Sequence, residues 1–482
     1  MILTLLILVP FLGGVAALFL AGRGEADRWV SIVALGATLL VLVLAVVLGE
    51  PAPWFARISI PWAPSLGVSL TLALDGLSAA LVAIAAGLGI VGVMVSWREV
   101  QRATGLFHAA LCWTVATSNG VFLAFDLLVF AFFWEAMIVP SFLLIALWGH
   151  GDREAAALKF LIFNAVAGLA LIAAVVALAA QAPVVTFDAF ALAQLQLDPT
   201  LQLWLLLGFA LAFLAKLPGP PVHAWLPDAH TQAPTAGSIL LAGLLLKTGA
   251  YGLFRFPGML FPDAMLVVSP WGMALGAFGA IYGGLVACAQ HDGKRLIAYS
   301  SIAHMSIVLL GVSTLEHLAM VGAAIEMIAH AFSASALFLL IGALYERTHT
   351  RDLRQLGGLQ QAAPRFAASF SLFFAAALAM PGTANFVGEV LVVVGVFQVN
   401  WVLALVALSS LIVSVVYATR LLRGIVFGPK RTGAGFTDLG WRELAPTIVL
   451  AACTVVIGFF PQFLITWLEP AVDAALARFA PP

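Results

Sequence analysis

Charged residues are scarce in this chain: they make up 9% of its 482 residues, whereas 63% are hydrophobic and the mean hydropathy is +1.09. A soluble protein of this length carries charge on about a quarter of its residues. Because a lipid-facing surface dispenses with those charges, the sequence predicts a polytopic membrane protein. The net charge of −1 argues against a nucleic-acid-binding protein, which needs a basic face.

The sequence also lacks the motifs of several other functions. The only three cysteines, Cys112, Cys288 and Cys453, lie far apart in apolar stretches, so neither a disulfide framework nor a thiolate metal site is expected. No Walker lysine loop and no dinucleotide fingerprint after a strand is found, which argues against an ATP-driven pump and against redox chemistry in this chain. The first twenty residues lack a basic region and a cleavage site, so they are interpreted as a retained helix.

Long apolar runs dominate the sequence instead. A helix needs about 20 apolar residues to cross the hydrocarbon core of a bilayer. The sequence therefore predicts an all-α fold with about fourteen transmembrane helices, called spans 1 to 14 below. They lie near 2–20, 29–48, 76–96, 104–120, 121–147, 157–180, 201–229, 236–256, 267–288, 296–313, 317–343, 366–395, 402–424 and 445–468.

The basic residues support this count. Loops that follow odd-numbered spans hold seventeen lysines and arginines, whereas even-numbered loops hold Arg57 and Arg255 only. Positive residues favour the cytoplasmic side, so this bias predicts odd loops in the cytoplasm and both termini outside. The seventeen are Arg23, Arg28, Arg98, Arg102, Arg153, Lys159, Lys294, Arg295, Arg347, Arg351, Arg354, Arg365, Arg420, Arg423, Lys430, Arg431 and Arg442.

Several ionisable residues lie within the apolar spans. A charge at the bilayer centre costs at least about 2.5–3.5 kcal/mol, so such residues are functional candidates. The mixture of acids, lysines and histidines suits proton transfer, because burial and a movable carboxylate can tune when an amine releases its proton. Two alternatives are a static ion pair between Glu135 and Lys216 and a purely interfacial role for Glu326. The candidates are Glu135, Lys216, Lys247, His304, Glu326, His330 and Glu389.

Two spans contain helix-breaking sequences. In span 7 the sequence "KLPGPP" begins at Lys216 and places its first proline at Pro218, and in span 12 "MPGTANF" interrupts the apolar run at Pro381. Proline removes a backbone donor, so protein or water must satisfy the freed carbonyls there. The breaks lie five spans apart, which predicts an inverted repeat of spans 4–8 and 9–13 with broken helices at matching positions. The predicted units are residues 1–100, 101–256, 257–425 and 426–482.

The segment "HAWLPDAH" follows the first break and offers His223, Asp228 and His230. A metal site is conceivable there, but the spacing is not that of a zinc-binding helix motif. A polar cluster at the end of a broken helix is the preferred interpretation, and no metal is expected.

Five segments carry a family resemblance: "FDLLVFAFFWEAMIVP", "KLPGPPVHAWLPDAHTQAPTAGSILLAGLLLKTGAYGLFRF", "KRLIAYSSIAHMS", "EMIAHAFSASALFLLIGALYERTHTRD" and "MPGTANFVGE". Together they resemble the M-type antiporter-like subunits of bacterial respiratory complex I, over nearly the whole chain beyond about residue 70. The chain ends at span 14 without a long lateral helix, and span 12 carries Glu389 where an L-type subunit would have lysine.

The resemblance implies roles for the buried residues. Glu135 would modulate the proton affinity of Lys216, the central proton carrier. Lys247 would lead through water and two histidines to an exit residue facing the periplasm. These last three positions are His304, His330 and Glu389.

The resemblance implies a proton-pumping subunit of NADH:quinone oxidoreductase in the bacterial inner membrane. Flavin, iron–sulfur clusters and quinone are expected in partner subunits, and neighbouring antiporter-like subunits are expected as partners. One alternative is an Na⁺/H⁺ antiporter module, although no cluster of carboxylates within the spans indicates a sodium site. The other is a structural subunit with vestigial charges.

Overall fold

The fold contains the transmembrane helices that the sequence predicts. A computed structural model describes residues 1–50, 53–429 and 436–479, so Lys430 and Arg431 lie outside the described residues. Within the described chain, thirteen helices are long and apolar enough to cross a membrane, and the divided span 12 brings the number to the predicted fourteen. The thirteen are Ile2–Phe19, Ala26–Val47, Gly76–Glu99, Thr104–Leu123, Leu127–Trp148, Arg153–Ala179, Pro199–Lys216, Thr235–Leu260, Pro262–Ala289, Gly293–Ser313, His317–Thr348, Trp401–Phe427 and Trp441–Phe459.

Both predicted breaks are present. Span 7 stops at Lys216 and resumes as Trp225–Gln232, and span 12 is divided into Pro364–Ala377 and Ala384–Val399. Freed carbonyls at the first break find a protein donor, because the Trp225 indole nitrogen donates a hydrogen bond of 2.8 Å to the Ala215 carbonyl. The prediction that protein groups satisfy the broken backbone is confirmed at this position.

Two further interruptions escaped the sequence analysis. Span 5 is interrupted at Met137, between Leu127–Ala136 and Ile138–Trp148, shortly before Pro140. Span 8 contains a π-helical turn, Leu241–Leu245, between Thr235–Leu240 and Leu246–Arg255. Turns of this kind leave carbonyl groups without their usual helical donors.

The segment between spans 2 and 3 is an antiparallel β-hairpin, so the prediction of an entirely helical chain needs this addition. Strands Ala56–Ala63 and Val68–Leu74 pair across a short turn, Pro64–Leu66, that closes at Gly67 with a positive φ of 73°. The predicted span 14 was also too long at its end. It stops at Phe459 before Pro461, and Gln462–Leu476 forms a separate helix.

Packing separates inner from outer spans. Spans 8, 10 and 11 are almost completely buried, whereas most residues in the most apolar stretches of spans 1, 2, 6, 9, 13 and 14 are at least partly exposed. Span 4 packs against span 8, and span 9 packs against span 13, so the first helix of each five-helix unit contacts its last. This pattern agrees with the predicted inverted repeat, while the four predicted units remain a prediction. Short helices Ala189–Leu192 and Leu359–Ala362 lie between spans, whereas Pro257–Leu260 forms the end of span 8.

One basic residue assigned to an outer loop is buried instead. Arg255 ends span 8 and forms an ion pair with Asp75, which caps the start of span 3. Both side chains are buried, and the guanidinium also lies near the rings of Trp54 and Phe125. Arg255 therefore joins two spans, and the loop assignment was wrong because a terminal arginine looks the same in sequence whether it is solvated or paired.

Removing one partner of this pair should destabilise the protein strongly. Arg255→Met leaves the Asp75 carboxylate buried without a countercharge, which costs about 3–5 kcal/mol in comparable buried pairs. The free energy of unfolding in detergent measures the effect. Asp473→Asn, which removes an exposed partner of His317, is the matched control and should cost less than about 1 kcal/mol. Equal losses in the two variants would contradict the structural role of the buried pair.

Candidate functional site

Lys216 ends the first half of span 7 and is buried in protein, not in lipid. Its amine donates a hydrogen bond of 2.7 Å to the Trp134 carbonyl and lies 3.9 Å from the centre of the Trp134 ring. The acceptor belongs to the last turn of Leu127–Ala136, where the helix is interrupted at Met137. Carbonyls in the last turn of a helix lack helical donors, so the interruption of span 5 supplies the partner of the lysine.

Glu135 follows the residue that binds the lysine, but it forms no ion pair with Lys216 among the described contacts. Its Oε1 is buried without a hydrogen-bond partner and lies against Gly168 of span 6. A Cβ atom at position 168 would overlap this carboxylate, so glycine provides the space that it occupies. The alternative of a locked ion pair between Glu135 and Lys216 does not describe this arrangement.

Lys247 lies directly after the π-helical turn of span 8. Its amine donates a hydrogen bond of 2.7 Å to the Ala242 carbonyl within that turn and lies 2.6 Å from His330 Nδ1 of span 11. Both side chains are buried, and His330 Nε2 has no partner among the described residues. The rings of His330 and His304 are 5.7 Å apart, so the contact continues towards span 10.

Around His304, two carboxylates meet. Its Nδ1 lies 2.8 Å from Glu389 Oε1 of span 12 and 3.5 Å from Glu326 Oε1 of span 11. Asn385, just after the second break, donates a hydrogen bond of 3.1 Å to Glu326 Oε1. The expectation that no carboxylates cluster within the spans was wrong, because residues distant in sequence converge where spans 10, 11 and 12 pack together.

The buried ionisable residues thus form two groups. One comprises Glu135 and Lys216, and the other runs from Lys247 through His330 and His304 to the two carboxylates. No hydrogen bond or ion pair joins Lys216 to Lys247 in the described part of the chain. The backbones are nevertheless close, because Gly249 of span 8 packs directly against the backbone of Phe213 and Leu217 at the break.

The residues predicted to support the site lie in different parts of the structure. Pro218 and Pro381 lie at the two breaks, and His223 Nε2 lies 3.1 Å from the Tyr282 hydroxyl of span 9. Asp228 does not join the buried groups, since its carboxylate pairs with Lys159 at 2.6 Å and Arg295 at 3.1 Å. The cluster predicted for "HAWLPDAH" is therefore dispersed, with His223, Asp228 and His230 contacting different spans.

Two further buried residues belong near the site: Lys294, which the sequence analysis did not place there, and His230, which it named in the segment "HAWLPDAH". Lys294 was assigned to a cytoplasmic loop, but its amine is buried and donates to the Ala233 carbonyl at 2.7 Å and to Ser238 Oγ at 3.2 Å. His230 is buried against Phe338, with ring centres 4.4 Å apart and both nitrogens unpartnered among the described residues. A lysine beside an apolar run resembles a flanking loop charge, so its burial was not predictable.

The fold and this site define a class: multi-pass helical membrane proteins with ionisable residues arranged through a buried core. Residues 124–414 match the family described as NADH:quinone oxidoreductase/Mrp antiporter, TM. The chain is 44% identical to "NADH-quinone oxidoreductase subunit M" of Pseudomonas aeruginosa, over 96% of this chain and 95% of that protein. It is 42% identical to the protein of the same name in Escherichia coli K12, over 98% of this chain and 97% of that one.

Solved structures are similar to this chain as well. A chain of "Respiratory complex I from Thermus thermophilus with bound NADH" superimposes with a TM-score of 0.91 at 30% identity, covering 99% of this chain and 100% of that one. A chain of the Mrp complex from Dietzia sp. DQ12-45-1b gives 0.87 at 26% identity, covering 98% and 52%. The chain therefore belongs to the NADH:quinone oxidoreductase/Mrp antiporter family of membrane proteins.

His150, in the loop between spans 5 and 6, should make stability depend on pH. Burial and the positive charges of Lys294, Arg351 and Arg153 lower its pKa to about 4. An unfolded histidine has a pKa of about 6.5, so the unfolded chain binds a proton first as the pH falls. Stability should therefore decline between about pH 6.5 and pH 4, and His150→Gln should reduce that decline.

Thermal unfolding of the purified protein at pH 7 and pH 5 measures this difference. His291→Gln, which replaces an exposed histidine in the loop between spans 9 and 10, is the control and should keep the wild-type decline. An equal decline in wild type and His150→Gln would argue against the assignment.

Proposed function

We propose that this chain is an antiporter-like subunit of a type I NADH:quinone oxidoreductase that translocates protons across the bacterial inner membrane. The family, the similarity to subunit M of two bacteria and the likeness to a complex I chain support this proposal. Redox energy would reach it through neighbouring membrane subunits. Flavin, iron–sulfur clusters and quinone would belong to partner subunits, and this chain would have no redox site of its own.

The observation that carries the proposal is the buried sequence of contacts from Lys247 to Glu389. An amine, two imidazoles and a carboxylate follow one another across spans 8, 11, 10 and 12. Each of these groups both binds and releases protons, and water bridging the longer step between the imidazoles would complete a path for proton transfer. The segregation of basic residues supports both termini on the periplasmic side, with proton release from Glu389 towards that side.

Lys216 would be the proton carrier whose affinity changes during turnover. Moving one charge against 100 mV requires about 2.3 kcal/mol, which corresponds to less than two pKa units. Movement of a neighbouring carboxylate delivers changes of that size. Glu135 is suited to this role because it lies beside the residue that binds the amine without being locked to it.

The convergence of Glu326 and Glu389 favours testing a second candidate, an Na⁺/H⁺ antiporter module. Two carboxylates supply oxygen ligands of the kind that sodium needs, and the chain also resembles one from an Mrp complex. In this structure His304 Nδ1 lies 2.8 Å from Glu389 Oε1 and 3.5 Å from Glu326 Oε1, so the cluster presents a nitrogen atom as well as carboxylate oxygens. Proton translocation that requires added Na⁺ would favour the antiporter, whereas pumping in its absence favours the proton pump.

Removing either buried lysine should stop proton translocation. Lys216→Ala and Lys247→Ala each delete a proton-binding group, so vesicles containing the assembled enzyme should lose NADH-driven proton uptake. A pH-sensitive dye measures uptake, and blue-native gels report assembly. Lys159→Ala removes a partly exposed lysine that pairs with Asp228, and it should keep most of the activity. Normal uptake in both buried-lysine variants would instead support a structural subunit with vestigial charges.

Displacing Glu135 without removing it should also impair translocation. In Gly168→Ala the added methyl group occupies the position of the carboxylate, which must rotate away. Misplacement of a functional group by 1 Å can cost up to about 100-fold in rate, and we expect at least a tenfold slower proton uptake.

Gly87→Ala is the matched control, because a methyl group at position 87 of span 3 meets no atom within 4 Å. It should pump at the wild-type rate. If Gly168→Ala assembles and pumps as well as Gly87→Ala, the position of the Glu135 carboxylate does not matter for the rate.

A further inference from the structure

The groups around His304 have the composition of a metal-binding site. His304, Glu326 and Glu389 each offer one ligand atom, and these atoms lie within 4.8 Å of one another. Imidazole nitrogen and carboxylate oxygen are ligands that Zn²⁺ accepts at about 2.0–2.2 Å. Tetrahedral ligands at that distance are about 3.4 Å apart, close to the 3.5 Å between His304 Nδ1 and Glu326 Oε1. The shorter contact with Glu389 needs to lengthen by only a fraction of an ångström.

Unused polar atoms point to the same conclusion. Three polar atoms of the cluster have no hydrogen-bond partner among the described residues: Glu326 Oε2, Glu389 Oε2 and His304 Nε2. Water reaches them poorly, because their side chains are buried. Asn385 Oδ1 is unpartnered as well, while the amide nitrogen of the same side chain orients Glu326. Unpartnered atoms of this kind are costly in a protein interior, and a bound cation would satisfy the carboxylate oxygens.

Charge selects the class of cation. Two ionised carboxylates and a neutral imidazole carry −2, so a divalent ion leaves the buried cluster neutral whereas Na⁺ leaves −1. Uncompensated charge is strongly unfavourable in a low-dielectric interior. The nitrogen ligand also favours a borderline transition metal over Mg²⁺ or Ca²⁺, which prefer oxygen.

Ligation needs one change of protonation. In the metal-bound cluster, His304 Nδ1 and the ligating carboxylates carry no proton, and the neutral imidazole keeps its proton on Nε2. Protons that these ligands hold before the metal binds are released to solvent. The break in span 12 offers a route to the surface, because Pro381 is exposed and Asn385 follows it by four residues.

We propose that His304, Glu326 and Glu389 form a binding site for a divalent transition-metal ion of the Zn²⁺ class, with Asn385 orienting Glu326. The ion is an inhibitor of this subunit and not a resident cofactor. It ties up the imidazole and both carboxylates, so no proton passes from His330 to Glu389. The inhibition rests on the proposed proton path, whereas the binding does not.

Zinc binding to the intact purified enzyme tests the site. The complex is stripped with chelator, equilibrated with Zn²⁺ and desalted, and zinc per complex is measured by mass spectrometry. Wild type should retain one more zinc than His304→Gln or Glu326→Gln. Asn385→Ala keeps all three ligands and should bind that zinc about 10–100-fold more weakly, as loss of an orienting partner does elsewhere. Size-exclusion profiles establish that each variant is assembled.

His317→Gln is the control, since it removes an exposed histidine that pairs with Asp473 at the start of span 11. It should retain the additional zinc. Equal zinc in wild type and both ligand variants overturns the site, as does loss of the same zinc in His317→Gln. Retention of ²²Na⁺ in place of zinc at these residues also overturns it.

Proton uptake in vesicles separates binding from function. In wild type, occupancy of the additional zinc site should suppress NADH-driven uptake by at least tenfold, with recovery on adding chelator. If zinc binds at the cluster and uptake continues unchanged, the metal site stands and the proposed path through His304 fails.

Discussion

A buried amine needs a hydrogen-bond acceptor, and in this chain the acceptor is a backbone carbonyl at a helix interruption. Lys216 bonds to Trp134 next to the interruption of span 5, and Lys247 bonds to Ala242 in the π-helical turn of span 8. Lys294 bonds to Ala233, at the end of Trp225–Gln232. All three bonds are 2.7 Å long. An interruption frees carbonyls from their helical donors, so it favours a lysine amine that must find an acceptor inside these spans.

A carbonyl differs from a carboxylate as a partner, and the difference decides whether an amine remains able to exchange protons. A carboxylate left behind by a neutralised lysine would be an unpaired buried charge, which is costly. A carbonyl carries no net charge, so it accepts a hydrogen bond from the protonated or the neutral amine. Arg255 and Asp75 show the opposite design, since arginine does not release its proton and the pair is therefore static. The spans of this protein thus contain ionisable groups whose charge is fixed and ionisable groups whose protonation state is free to change.

The sequence contained enough information to predict the spans, both proline breaks and most ionisable residues within the spans, because composition and local breakers determine these. It did not contain enough information to predict which of these residues contact one another. Glu326 and Glu389 converge on His304 only through the packing of spans 10, 11 and 12, and no local pattern encodes that packing. The π-helical turn was invisible for a related reason. Four residues of its sequence "LAGLL" are leucine or alanine, which favour an ordinary α-helix, and a single glycine is common in transmembrane helices. The tertiary contact of Lys247 with His330 accompanies the altered hydrogen bonding.

His330 and His304 lie between Lys247 and Glu389, the two ends of the proposed path. Their position follows from the chemistry of those two end groups. Direct contact between an ammonium and a carboxylate would give a stable ion pair resembling Arg255–Asp75, in which the proton stays on the base. His330 instead faces the amine at 2.6 Å and His304 faces the carboxylate at 2.8 Å, with 5.7 Å between the ring centres. In the proposed path, each end would therefore exchange protons with an imidazole that is itself able to hold or release one. Because the gap between the rings must be bridged before a proton crosses, it is also the step at which transfer can be interrupted.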